Sequence, residues 1–163
     1  MAKPDKANAN DRVIENRRAR FDYEIGETLE CGMKLYGPEV KSVREGKVSL
    51  AEGFVRADME PPALWLHQVN IAEYGPAGRM SADIPTRARK LLAHKKEIKR
   101  MAKLSDAKGA TLVPLKVYFK GGYAKCRIGV GTGRKQSDKR EVIKERESKR
   151  EIDRAISKRM DRG

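Results

Sequence analysis

The sequence is short of the residues that build metal and redox chemistry: 163 residues hold two cysteines and two histidines. Cys31 and Cys126 lie far apart in alternating, strand-like stretches, so neither a disulfide framework nor a zinc site is expected, and both read as core residues. His67 falls in a strand-like run and His94 in a basic helical one, and neither has metal-ligand or triad spacing to a second candidate. No metal or cofactor is therefore expected. No run approaches the roughly 18 apolar residues of a membrane span, and the opening MAKPDKANAN lacks the apolar stretch of a signal peptide, which predicts a cytoplasmic protein without membrane contact. Gly129, Gly131 and Gly133 precede Arg134 and Lys135 in the manner of a phosphate loop, but Gln136 stands where a Walker motif needs Ser or Thr. A nucleotide-hydrolysis site is excluded on that ground. The glycines read instead as places where strand backbone bends before releasing the C-terminal segment.

Positive charge is plentiful. Lys and Arg number 37 against 23 Asp and Glu, a net charge of +14, which favours a polyanionic partner. The surplus is uneven: residues 1–80 sum to −1, residues 81–131 to +10 and residues 132–163 to +5. A nucleic-acid footprint is expected in the C-terminal half.

Residues 1–20 have no apolar period and read as a mobile arm, with order beginning near Phe21. The odd positions Ile25, Leu29, Cys31, Met33 and Leu35 are apolar, with Glu27 the exception, which predicts a half-buried strand. Gly37-Pro38 ends it. EVKSVREGK then has Val40 and Val43 at helical spacing, and further strands are expected near Leu50–Ala57 and Leu64–Ile71. RARKLLAHKKEIKRMAKL places Ala88, Leu91, Leu92, Ile98, Met101 and Ala102 on one stripe, which predicts an amphipathic helix over about 87–104 with Thr86 as N-cap. Arg87, Arg89 and Lys90 then crowd the positive end of that helix, either as snorkelling side chains or as phosphate contacts.

Gly121-Gly122 is a two-residue hairpin turn between two strand-like runs. The implied register pairs Phe119 with Ala124, Val117 with Cys126, Leu115 with Ile128 and Val113 with Val130, an entirely apolar face. The opposite face pairs Lys120 with Tyr123, Tyr118 with Lys125 and Lys116 with Arg127, all basic or aromatic. Pro114 is expected at a strand start or an edge. No Asp or Glu occurs from Ala107 to Ser137, whereas solvated faces usually interleave both signs. Aromatic rings for stacking and cations for phosphate fit RNA, and no recognition helix for a DNA major groove is evident. Residues 134–162 contain neither Gly nor Pro, and Asp138 with Glu141 resembles a capping box. Ile152, Ala155, Ile156 and Met160 make only a short stripe, so residues 132–163 are expected to be disordered when free and helical on a partner.

NRRARFDY at 16–23, LECGMKLYGPEVKSVREGK at 29–47, PTRARKLL at 85–92 and KCRIGVGTGRKQSDKR at 125–140 resemble the SsrA-binding protein (SmpB) family of trans-translation in order and spacing. The resemblance implies an antiparallel β-barrel of the oligonucleotide-binding (OB) type over 21–131, with flanking helices and a basic tail over 132–163. It implies an RNA-binding cofactor rather than an enzyme, one that grips the tRNA-like domain of transfer-messenger RNA (tmRNA, SsrA RNA) and brings it to stalled ribosomes. Its partners would include alanyl-tmRNA with elongation factor Tu, and the protein would be a monomer on RNA. By motif position, Asn16, Glu30, Leu91 and Lys125 correspond to the family's RNA-binding surface. Arg17, Arg18, Arg87, Arg89, Lys90, Arg134 and Lys135, and the hairpin residues Lys116, Tyr118, Lys120, Tyr123 and Arg127, join them as candidates. Asp138, Lys139 and Arg140 correspond to the tail motif that acts in the empty messenger channel by the decoding centre, with Ile156 and Met160 as apolar tip residues. Glu30 would repel phosphate, so it reads as an acceptor for base or ribose donors or as an orienter of a neighbouring cation. Leu91 lies on an apolar stripe and is equally explained by core packing. Another translation-associated RNA binder on the same fold is the alternative.

Overall fold

A computed structural model describes residues 12–75 and 84–160. The elements are β1 (Ile14–Glu15), α1 (Arg17–Asp22), β2 (Tyr23–Met33), α2 (Gly37–Arg44), β3 (Val48–Ser49), β4 (Phe54–Met59) and β5 (Pro62–His67), followed by β6 (Asn70–Ile71), β7 (Arg89–Leu92), α3 (Lys95–Ser105), β8 (Ala110–Lys120), β9 (Tyr123–Gly133) and α4 (Gln136–Met160). The seven-stranded sheet runs β1-β8-β4-β5-β7-β2-β9, and the β8–β9 pairing closes it into an antiparallel barrel. Closure leaves few unpaired strand edges. Inside lie Cys31, Leu64, Leu66, Leu91, Leu112, Val117, Cys126 and Ile128, with Ile98 and Met101 of α3 joining the same core.

The predicted hairpin forms, with both turn glycines at positive φ (59° and 79°). Its register holds from Lys120↔Tyr123 to Lys116↔Arg127 and then shifts by one, giving Pro114↔Ile128 and Leu112↔Val130. The expected Leu115–Ile128 and Val113–Val130 pairs are therefore replaced. The cause is a bulge beside Pro114, which has no N–H to give a ladder. A second irregularity interrupts β2 between Ile25 and Thr28, so Ile25 and Leu29 serve different cores despite their even spacing. The two irregularities turn Val113, Leu115, Tyr23 and Ile25 outward into a small second core, capped by Ala19 of α1. Gly129 and Gly131 make room for it: a Cβ at either would sit 2.9 Å from Leu115 and Ile25 or 3.0 Å from Tyr23. These glycines thus accommodate packing, rather than serving merely as bends.

Two further expectations are corrected. Order begins before Phe21: β1 pairs with β8, and Asn16 caps α1. The arm's residues 1–11 lie outside the described residues. The helix predicted over 87–104 begins only at Lys95. Residues 89–92 instead form β7, which bridges β5 and β2 with Arg89 and Leu91 inward and Lys90 and Leu92 outward. Tertiary pairing overrides a helical spacing read from too few turns. His94, not Thr86, caps α3, its backbone N–H donating to Glu97 at 3.1 Å. The C-terminal segment is one helix of 25 residues, none of them buried, which agrees with the helical state expected of it on a partner.

Candidate nucleic-acid interface

The turn half of the β2/β9/β8 sheet presents its outer face to solvent, while α1 covers the other half. In the open half Glu30 pairs across from Arg127, Lys125 from Tyr118 and Tyr123 from Lys120. Strand alternation puts all of these side chains, with Lys116, on one face. The structure thus brings together seven predicted residues: Glu30, Lys116, Tyr118, Lys120, Tyr123, Lys125 and Arg127. Tyr123 stands at the tip, 73% exposed. Lys116 Nζ lies over the Tyr118 ring, 5.2 Å from its centroid. Strand β1 adds Glu15 opposite Lys116, a neighbour that a two-residue strand gives no sequence periodicity to reveal.

Glu30 organises this face. Its carboxylate accepts a hydrogen bond from the Tyr118 hydroxyl, with Lys120 Nζ at 3.6 Å and Arg127 Nη2 at 3.9 Å. The Tyr118 hydrogen bond, helped by Lys120 and opposed by partial burial, holds the carboxyl below its ordinary range. Burial and the same hydrogen bond push the Tyr118 phenol up, so it remains a donor. A carboxylate fixed among cations orients them; it is already occupied by protein donors.

Other predicted residues sit elsewhere. Asn16, 3% exposed, is an internal brace: its Oδ1 accepts from Ala19 N–H at 3.0 Å, and its Nδ2 donates to the carbonyls of Leu50 (3.0 Å) and Pro114 (2.9 Å). It therefore pins α1 onto the β8 bulge. Leu91 is 1% exposed in the core, touching the outer surface with nothing. Arg89, also 1% exposed, is bonded to Glu39 and donates to the carbonyls of Val69 and Pro85, both at 2.8 Å. Arg87 binds the same carboxylate and stacks on Tyr36, 4.3 Å from the ring centroid. Burial alone would raise the Glu39 pKa; the hydrogen bonds from Arg87 and Arg89 outweigh it and lower it. These two arginines clamp α2 to the barrel instead of forming a basic helix start. Lys90 is exposed on β7. Arg17 and Arg18 are exposed on α1, where Arg18 pairs with Glu52 and Asp22.

Arg134 and Lys135 lead into α4, the Arg134 N–H donating to the Asp22 carbonyl at 2.9 Å. Asp138, Lys139 and Arg140 occupy its first turns. Lys139 Nζ lies 3.1 Å from Asp22 Oδ1, and both Lys139 and Arg146 approach the Phe21 ring, at 5.7 and 5.8 Å. Sequence reasoning missed this Phe21–Asp22 anchor, which no periodicity signals. Ile156 and Met160 are exposed near the far end.

Comparison with known proteins settles the relationship. The family model described as SmpB protein matches residues 13–158. This chain belongs to the SmpB family. An SsrA-binding protein of Maricaulis maris is 51% identical over 148 residues, covering 90% of this chain and 92% of that protein. One from an Exiguobacterium species is 46% identical over 156 residues, covering 96% of each. Among solved structures, a chain described under "tmRNA-SmpB: a journey to the center of the bacterial ribosome" superposes with a TM-score of 0.64 at 46% identity, covering 80% of this chain and 94% of that one. The mainly antiparallel barrel with flanking helices is thus the SmpB architecture. Both cysteines lie in its core, where burial pushes the Cys31 thiol up to about 12. No described helix is long and apolar enough to cross a membrane.

Proposed function

We propose that this chain is an RNA-binding cofactor of trans-translation, acting in the cytoplasm: it binds the tRNA-like domain of tmRNA through the open hairpin face and brings it to stalled ribosomes. The single observation that carries the reading is the acid-poor face of Lys116, Tyr118, Lys120, Tyr123, Lys125 and Arg127, ordered by Glu30, on a chain of the SmpB family. Rings supply stacking and cations supply phosphate contacts, so recognition is by shape and charge and needs no chemistry of the protein's own. Asn16 and Leu91 serve that surface from inside, the first by fixing α1 and the bulge, the second by holding β7 between its neighbours.

The tail has the separate task. We propose that α4 enters the vacant messenger channel near the decoding centre, with Asp138, Lys139 and Arg140 at its root and Ile156 and Met160 packing near its tip. A helix with no buried residue has little to hold it before docking, so it firms on the ribosome. The protein works as a monomer on its RNA, alongside elongation factor Tu and alanyl-tmRNA. A gel-shift competition tests the RNA assignment. Tight binding to the tRNA-like domain should resist displacement by an unrelated structured RNA; equal displacement by both would refute it.

A further inference from the structure

Cys31 and Cys126 are far apart in the chain but meet in the barrel. The pairing of β2 with β9 sets them directly opposite each other, both free thiols and both 0% exposed. Opposed residues on antiparallel strands point to the same face, with Cα atoms about 4.5–5.5 Å apart, inside the roughly 4.4–6.8 Å that a disulfide spans. The thiols are near enough to interact, since Cys31 adds to the burial that pushes the Cys126 thiol up. Leu29, Val117 and Ile128 fill the neighbouring positions of the same core. Packing alone asks for no sulfur on both sides of one rung, where branched apolar side chains fit a strand well.

The rungs on either side of this pair belong to the outer face: Glu30↔Arg127 lies on one side and Gly32↔Lys125 on the other. Lys120 at 3.6 Å and Arg127 at 3.9 Å stand near the outer limit of an ion pair with Glu30. A disulfide holds its Cβ atoms about 3.8 Å apart, against about 4.5–5.5 Å for an unlinked cross-strand pair, so closing it draws the inner face together by ~1 Å. Contraction inside splays the neighbours outside. A displacement of that size takes Lys120 and Arg127 out of reach of the carboxylate that orders them.

Gly32↔Lys125 is the last rung of the β2–β9 ladder. A single rung, one side of it a glycine with no side chain to pack, thus separates the thiols from the end of the ladder, where local opening costs least. While the ladder is closed the pair is inert, because burial pushes Cys31 up to about 12 and raises Cys126 as well, leaving little thiolate. Opening of the end rung exposes them, and a ligand seated on Lys125 holds that rung shut.

We propose that Cys31 and Cys126 are a peroxide-sensitive switch: oxidation joins them in a reversible cross-strand disulfide that loosens the RNA-binding face on the other side of the same strands. In the first step one thiol attacks hydrogen peroxide; the O–O bond breaks, a sulfenic acid forms and water leaves. The opposite thiol then attacks that sulfur, forming the S–S bond and releasing a second water. The two thiols together give up two electrons and two hydrogens, which the peroxide takes. The effect on RNA rests on the RNA-binding reading above; the bond itself does not.

The test treats the full chain with hydrogen peroxide, then counts free thiols by alkylation in denaturant and maps the products by mass spectrometry. A peptide pair linked through Cys31 and Cys126, with both thiols lost and the protein still monomeric, is expected. Thiols that stay free, or that oxidise to sulfinic acid without linking, overturn the proposal. In gel shift the oxidised protein should bind tRNA-like-domain RNA severalfold more weakly, and dithiothreitol should restore the affinity. Dithiothreitol reduces a disulfide and leaves methionine sulfoxide, so recovery assigns the loss to the bond. Unchanged affinity in the linked protein, or a loss that dithiothreitol leaves in place, overturns the switch. Cys31→Ala and Cys126→Ala should each bind RNA as the unaltered chain does and ignore peroxide. Bound tRNA-like RNA should in turn slow disulfide formation in the unaltered chain, a reciprocal effect that needs no variant to fold. Equal rates with and without RNA contradict the coupling. Failure of the reduced, unaltered chain to bind the RNA at all would instead strike the proposed function, with the bond still judged by mass.

Discussion

Glu30 carries a negative charge into a face that otherwise attracts phosphate, and two physical roles for it differ in the sign of their consequence. If it acted only through its charge, Glu30→Gln would tighten RNA binding by removing repulsion. Because it holds Tyr118, Lys120 and Arg127 in place, the substitution should weaken binding severalfold in a filter assay, the loss of orientation exceeding the gain in charge. The effect belongs to the ionised carboxylate, which the Tyr118 hydrogen bond keeps available below the ordinary carboxylate range. Lys125, across from Tyr118, is the simpler case. Lys125→Ala should reduce affinity and lower the slope of log K against log salt by about 0.9, one phosphate contact. An unchanged slope would place Lys125 away from phosphate.

Among the elements, α2 and β7 are joined by one carboxylate shared between two arginines. Glu39→Ala would take the Glu39 carboxylate away from the Arg89 guanidinium, 1% exposed in the core, while the carbonyls of Val69 and Pro85 remain as acceptors. It should cost about 3 kcal/mol in chemical denaturation, within the range for removing one partner of a buried pair. The lowered Glu39 pKa also fixes a pH dependence. Its folded value lies below the ordinary 4.5, so its stabilisation is present above pH 4.5 and is lost as pH falls through the folded value. Glu39→Ala should flatten that part of the stability profile. This element also shows where the sequence could be read and where it could not. The hairpin was legible because Gly121-Gly122 fixes a register and each strand is long enough to alternate. Four residues at 89–92 alternate too briefly to be told from a helix turn, and only closure of the barrel decides. The bulges near Ile25 and Pro114 escaped for a related reason: a shift of one residue leaves local spacing intact and changes only which core a side chain meets. Of the site, the hairpin face was legible, whereas the burial of Asn16, Arg89 and Leu91 depends on contacts distant in sequence.

At the scale of the whole molecule, the proposed function divides its work between the barrel and α4. Ending the chain after Gly133 removes no buried residue of α4. The truncated protein should therefore keep nearly full affinity for the tRNA-like domain in gel shift and lose rescue of stalled ribosomes in a translation assay; joint loss would contradict the division of labour. The anchor of α4 at Phe21 and Asp22 has a mechanical consequence. From Lys139 to Met160 the helix extends ~32 Å beyond that pivot. By simple trigonometry, a tilt of about 10° at the Lys139–Asp22 contact swings Met160 through roughly 5.5 Å, about one helical turn. Aim at the remote end is thus decided by a handful of atoms beside the barrel, as a pointer's reading is decided at its hub.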